Sequence, residues 1–162
     1  MKDDYELKKI KTLEIIGLHR QRVFQIMSRL SQEMILRGNK HDESKFESEE
    51  LPYYIDTIDV FEKNHFDSEG YYKAKKSLGP ALEHHYKHNR HHPEHFNNGI
   101  EGMNLVDILE LLADWKSATL NHPNHRGDIL ESVDILSKKY GICDQLKTLL
   151  INTLKDFDMV DN

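Results

Sequence analysis

Eleven of the 162 residues are histidine, and six of them (His84, His85, His88, His91, His92 and His95) fall within twelve positions. Imidazole is the commonest metal-binding side chain and the one most easily titrated near neutral pH. The segment Glu83-His-His-Tyr-Lys-His-Asn-Arg-His-His-Pro-Glu-His-Phe therefore reads first as a metal site and second as a surface pH-sensing cluster. His84 and His88 are four residues apart and share a helix face. His91 and His92 sit where Pro93 breaks the regular backbone. His41 and Asp42 form an adjacent pair after Gly38, where two side chains can converge, although Asp42 also suits a helix cap. Asp107 and Asp114 lie seven residues apart on one helical face, with Glu110 close to it. Such carboxylates commonly make a solvated face. Trp115, with Ala113 and Ala118, instead suggests that the Asp114 end is buried, and a buried aspartate needs a partner or a metal. His19, three residues from Ile16 and four from Val23, taken alone reads as a core histidine.

These residues need rigid elements, and the sequence supplies helices. Alternating β-branched runs of strand length are absent. A first helix is predicted over Asp4–Arg37, stopped by Gly38, with Ile16, Val23, Ile26, Leu30 and Met34 as one inward stripe. A second spans Ser48–Glu62, with Pro52 near its first turn. Asn64–Tyr71 reads as a loop, and a short helix starts at Gly79-Pro80 and runs to Lys87. His91–Gly102 reads as irregular. Asn104 caps a helix to Leu120, with Asp107 in the third position and Leu105, Ile108, Leu109 and Leu112 on the apolar side. A turn-rich connection over 121–127 leads to a helix capped by Asp128 and stopped at Gly141, and Asp144 caps a last helix. The expectation is one all-α domain over residues 1–162, a bundle of five to seven helices. Leu146, Leu149, Leu150, Thr153, Leu154 and Phe157 of the last helix pack inward or form a dimer surface, inward being the first reading.

Composition narrows the partners. Apolar residues are 38% of the chain and charged residues 31%, with 22 basic against 28 acidic and a net charge of −6. That supports one modest core and is no polybasic nucleic-acid footprint. The apolar runs are too short to span a membrane. The charged stretch Met1–Lys11 lacks a signal-peptide core. A single cysteine, Cys143, excludes an internal disulfide and fits a reducing compartment. Together these point to a cytoplasmic protein.

The order His19, His41-Asp42, the histidines from 84 to 92, then Asp114 resembles the HD-domain superfamily of metal-dependent phosphohydrolases. His41-Asp-Glu-Ser-Lys-Phe looks like the His-Asp-x-x-Lys form of its cyclic-nucleotide phosphodiesterase branches. Together with His84-His-Tyr-Lys-His-Asn, His91-His-Pro-Glu-His-Phe and Asp114-Trp-Lys, it is similar to an HD-like family of phages and bacteria that carries no established activity. The resemblance covers about residues 15–155. It implies a helical bundle around a buried centre, with His19, His41, Asp42 and Asp114 holding a first metal. Asp42 would bridge to a second, held by histidines among His84, His85, His91 and His92, and Lys45 would bind phosphate. Here those histidines are crowded into one segment, where the two-metal branch takes them from separated helices. The Gly-Tyr-Pro element of one phosphodiesterase branch is missing, so its cyclic dinucleotide substrate is not implied.

Imidazole and carboxylate ligands suit Mn, Fe, Ni, Co or Zn, as one or two divalent ions. The expected reaction is hydrolysis of a phosphorylated small molecule, a nucleotide first among them, by metal-activated water. Lys45, Arg90 and Lys116 would neutralise developing charge, and a spare histidine would protonate the leaving oxygen. Two alternatives are an HD-fold di-iron oxygenase and a non-catalytic, metal-stabilised module that binds a nucleotide or a protein.

Overall fold

The first helix, α1, runs Lys2–Lys40 without a proline and spans about 58 Å at 1.5 Å per residue. It passes through Gly38, which costs only about 1 kcal/mol inside a helix. The backbone breaks instead at Asp42, whose φ of 57° and ψ of 20° are left-handed. Aspartate tolerates that region better than most side chains because its short carboxylate can bond locally.

The computed structural model describes residues 2–64, 67–120 and 128–160 and is all-α, with seven α-helices and no strand among the described residues. Where the sequence reads as one domain, the chain divides into two compact units, Met1–Asn39 and Lys40–Asn162. The first unit is helical throughout its described part. Its Ile16, Val23, Ile26, Leu30 and Met34, expected as one inward stripe, are exposed. Periodicity puts side chains on one face; it does not say what covers that face.

In the second unit, a 3-10 turn at Glu43–Phe46 follows Asp42, and α2 spans Leu51–Lys63 with Pro52 in its first turn. The turn delays α2 past the expected Ser48. Helix α3, Glu69–Ser77, occupies the end of the expected loop; the Ser68 hydroxyl accepts from the Tyr71 N–H at 3.1 Å. Residues 65–66 of that loop lie outside the described residues, as does the connection over 121–127. Helix α4 runs Pro80–His88, and 3-10 turns at Pro93–His95 and Gly99–Gly102 punctuate the segment after it.

Helix α5, Leu105–Leu120, begins with a reciprocal cap. The Asn104 side chain accepts from the N–H groups of Val106 and Asp107 at 2.8 and 3.0 Å, and the Asp107 carboxylate accepts from Asn104 N–H at 2.9 Å. Helix α6, Ile129–Tyr140, is capped by Asp128 and ends on Gly141 at φ 65°, where the Ile142 N–H reaches the Ser137 carbonyl at 2.9 Å. Helix α7, Asp144–Asp156, has Cys143 rather than Asp144 in the cap position.

The core joins Ile108, Leu111, Leu112 and Trp115 of α5 to Ile129, Val133 and Leu136 of α6 and Leu150 and Leu154 of α7. Two expectations need correction. Leu105 and Leu109 are exposed, so the apolar side of α5 is turned toward Leu111 and Trp115. Leu150 and Leu154 of the last helix do pack inward, but Leu149 and Phe157 are exposed. No helix among the described residues is long and apolar enough to cross a membrane.

Candidate metal centre

The break at Asp42 turns the chain so that His41 and Asp42 face α4 and α5. Helix α4 contributes His84 and His85, the following segment His91 and His92, and α5 Glu110 and Asp114. The segment is fastened to α5 by Arg90, whose Nε and Nη2 donate to the two oxygens of wholly buried Asp107 at 3.2 and 3.0 Å. A second tie runs to the 3-10 turn: the buried Asn89 amide donates to the Ser44 hydroxyl at 2.7 Å and to the His85 carbonyl at 2.8 Å.

Asp42 is the hub. Its Oδ1 lies 3.4 Å from His85 Nε2 and 3.4 Å from His91 Nε2. Its Oδ2 lies 3.3 Å from His41 Nε2 and accepts from Lys45 Nζ at 2.6 Å. His41 Nε2 is also 3.5 Å from Asp114 Oδ1. Two donors that each sit about 2.1 Å from a common tetrahedral ion are about 3.4 Å apart. The observed spacings fit an ion better than they fit direct hydrogen bonds.

Two four-residue groups have ligand atoms within 4.8 Å of one another: His41, Asp42, His91 and Asp114; and Asp42, His85, His91 and His92. Buried Asp42 Oδ1 and both ring nitrogens of His91 find no hydrogen-bond partner among the described residues, although His91 is only 1% exposed. A buried polar group left this way costs about 1–3 kcal/mol, and a cation would relieve it. Imidazole and carboxylate together suit a divalent transition metal. His91 Nδ1 lies 3.2 Å from Glu110 Oε1. That approach is within ion-pair range without being a hydrogen bond, and His91 Nε2, 3.4 Å from Asp42 Oδ1, is the nitrogen that faces the hub; it completes one group or the other, while Asp42 has an oxygen for each.

Electrostatics follow from this packing. The neighbouring carboxylates Asp114, Asp42 and Glu110 raise His41 to about 11, against the opposing effect of burial. Burial alone would raise the Asp42 carboxyl, but His41 and Lys45 outweigh it and hold Asp42 well below the usual carboxylate range. Burial pushes His92 down to about 2, helped by His91 and His85, and it also lowers His85. His92 Nε2 sits 2.9 Å from His85 Nε2, an approach that two neutral rings tolerate and two cations do not.

The sequence-expected residues separate cleanly. His41, Asp42, His85, His91, His92 and Asp114 come together. His19 is exposed on α1, in the first unit, and belongs to neither group. His84 is also in neither: its Nδ1 is 2.8 Å from Glu50, and its ring stacks on His88 at 4.1 Å. Lys45 adjoins the hub, with its ammonium 5.3 Å from the Tyr54 ring. Arg90 pairs with Asp107 and lies over the Phe96 ring, with its side chain half-exposed. Lys116 is half-buried two residues beyond Asp114. Trp115 is buried as expected, whereas Ala113 and Ala118 are exposed. Sequence reasoning passed over Glu50, Asn89 and Ser44. An acidic pair before Leu51-Pro52 and an asparagine between two histidine pairs were the available signals.

A family model described as a family of unknown function (DUF5662) matches residues 8–156. The chain belongs to that family. All six clustered donors fall within the matched span, so the candidate centre lies inside the family's own region. No curated protein and no solved structure matches the chain.

Proposed function

We propose that this cluster holds one or two divalent transition-metal ions and hydrolyses a phosphate ester, with a nucleotide as the leading substrate class. The reading includes kinship with the HD-domain phosphohydrolases. The observation that carries it is the position of Asp42, one carboxylate with an oxygen toward His85 and His91 and another toward His41 and Lys45.

A bound divalent ion lowers the pKa of water to about 7, which supplies a nucleophile at neutral pH. The chain's own groups do the rest. Asp42, His41 and Asp114 form an acidic, oxygen-rich side, and His85, His91 and His92 an imidazole-rich side. Lys45 carries a positive charge beside the hub, where a phosphoryl oxygen gains charge as the new P–O bond forms. The ester P–O bond breaks as its oxygen leaves and takes a proton. That proton would come from water or from a cluster histidine that holds no ion; His92, kept neutral by its burial, is not that acid.

The test is metal analysis of protein purified without added metal, followed by phosphate release from a panel of nucleotides and phosphomonoesters with Mn²⁺. Release from at least one ester supports the reading. No release from any, with substrate-dependent oxygen uptake by the iron-loaded protein, replaces it with the oxygenase alternative.

A further inference from the structure

Three imidazoles facing Asp42 have their other ring nitrogen against a glutamate outside both donor groups. Glu50 is wholly buried just before α2. Its Oε2 lies 2.9 Å from His85 Nδ1, and its Oε1 lies 2.8 Å from His84 Nδ1. Glu110 on α5 places Oε1 3.0 Å from His41 Nδ1 and 3.2 Å from His91 Nδ1. In His41, His85 and His91, Nε2 is the nitrogen left toward Asp42, whereas His84 Nε2 lies 3.8 Å from Glu47.

A neutral imidazole has one N–H, and the nitrogen beside a carboxylate keeps it, so the other nitrogen keeps the lone pair. We propose that Glu50 and Glu110 are positioning residues that hold Nδ1–H and so reserve Nε2 for a cation, Glu50 for the ion at His85 and Glu110 for the ion at His41. This rests on the metal-centre reading, not on the hydrolytic one. A carboxylate behind a ligating histidine fixes the ring and raises its basicity. Mere filling does not require a charge there, because apolar residues of similar volume are often at least as stable.

Glu50→Gln leaves one acceptor oxygen for two Nδ1–H donors, so at least one of His84 and His85 must change. The experiment pairs nitrogen-15 NMR of the metal-free protein at pH 8 with Zn²⁺ affinity, measured against a chromophoric chelator. The expected wild-type result is an Nδ1–H tautomer at His85, with His84 or His85 switching to Nε2–H in Glu50→Gln. Zn²⁺ affinity should fall 10- to 100-fold at one ion in Glu50→Gln and at the other in Glu110→Gln. A wild-type His85 in the Nε2–H form overturns the proposal, as does unchanged Zn²⁺ affinity in both folded variants. If the wild-type protein binds no Zn²⁺, the metal reading has failed separately, and the tautomer still decides whether Glu50 sets the ring. If Glu50→Gln does not fold, the wild-type tautomer and Glu110→Gln carry the test.

Discussion

His41 and Asp42 are adjacent in sequence and oppositely charged in the metal-free protein, and their mutual dependence has a pH signature. His41 rises from 6.5 to about 11 on folding, chiefly through Asp114 and Asp42. Its contribution to stability is therefore full below pH 6.5 and is lost as pH rises toward 11. Asp42, lowered from 3.8 despite its burial, contributes above that value and loses its contribution as pH falls below it. The melting-temperature gap between wild type and His41→Gln, measured with chelator present, should be widest between about pH 4 and 6.5. It should narrow steadily toward pH 10; a gap that widens instead removes the imidazolium from the account. Lys45 belongs to the same scale. Lys45→Ala should leave metal content intact and lower turnover about 10²-fold, as expected for one lost charge-stabilising group. Unchanged turnover would leave Lys45 as no more than a partner of Asp42.

At the scale of elements, the histidine segment is useful only if it is held against α5, and the Arg90–Asp107 pair holds it. Arg90→Met leaves the Asp107 charge buried without its guanidinium, which should cost about 3 kcal/mol of stability in urea unfolding. It should also weaken metal binding, because His91 and His92 directly follow Arg90 on that segment. A loss confined to stability would mean that the segment is held by Asn89 alone. His84→Ala should keep full metal stoichiometry while His85→Ala, His91→Ala and His92→Ala reduce it. What the sequence showed of these elements depended on local signals. Pro80, the Asn104 cap, Asp128 and Gly141 placed helix ends because caps and turns act within a few residues. Helix α1 runs past Gly38 because glycine is only one route into the left-handed region, and Asp42 takes the other. His41, Asp42 and Asp114 were legible from residue type and order. Glu50 was not, since nothing local says that a carboxylate before α2 will meet a ring on α4. The Arg90–Asp107 pair is illegible in the sequence for the same reason, because its two members lie in separate elements.

At the scale of the whole molecule, the decisive point is which unit carries the chemistry. Every donor in the two groups comes from the unit Lys40–Asn162, whereas His19 lies in Met1–Asn39. Each group already offers four ligand atoms, enough for a tetrahedral ion, so His19→Ala should leave metal stoichiometry unchanged, although the sequence resemblance gives that residue a place among the ligands. Loss of an ion in His19→Ala would restore the resemblance's ligand set.

The proposed site depends above all on a cation shared through Asp42. Metal counting by mass spectrometry on wild type and Asp42→Asn, both purified without added metal and then loaded with Mn²⁺ or Zn²⁺, tests it most directly. Asparagine keeps the size of the side chain but removes the charge and one of the two acceptor oxygens. The expected result is one or two ions per wild-type chain and none retained by folded Asp42→Asn. Equal stoichiometry in the two proteins, or none in the wild type, would contradict it.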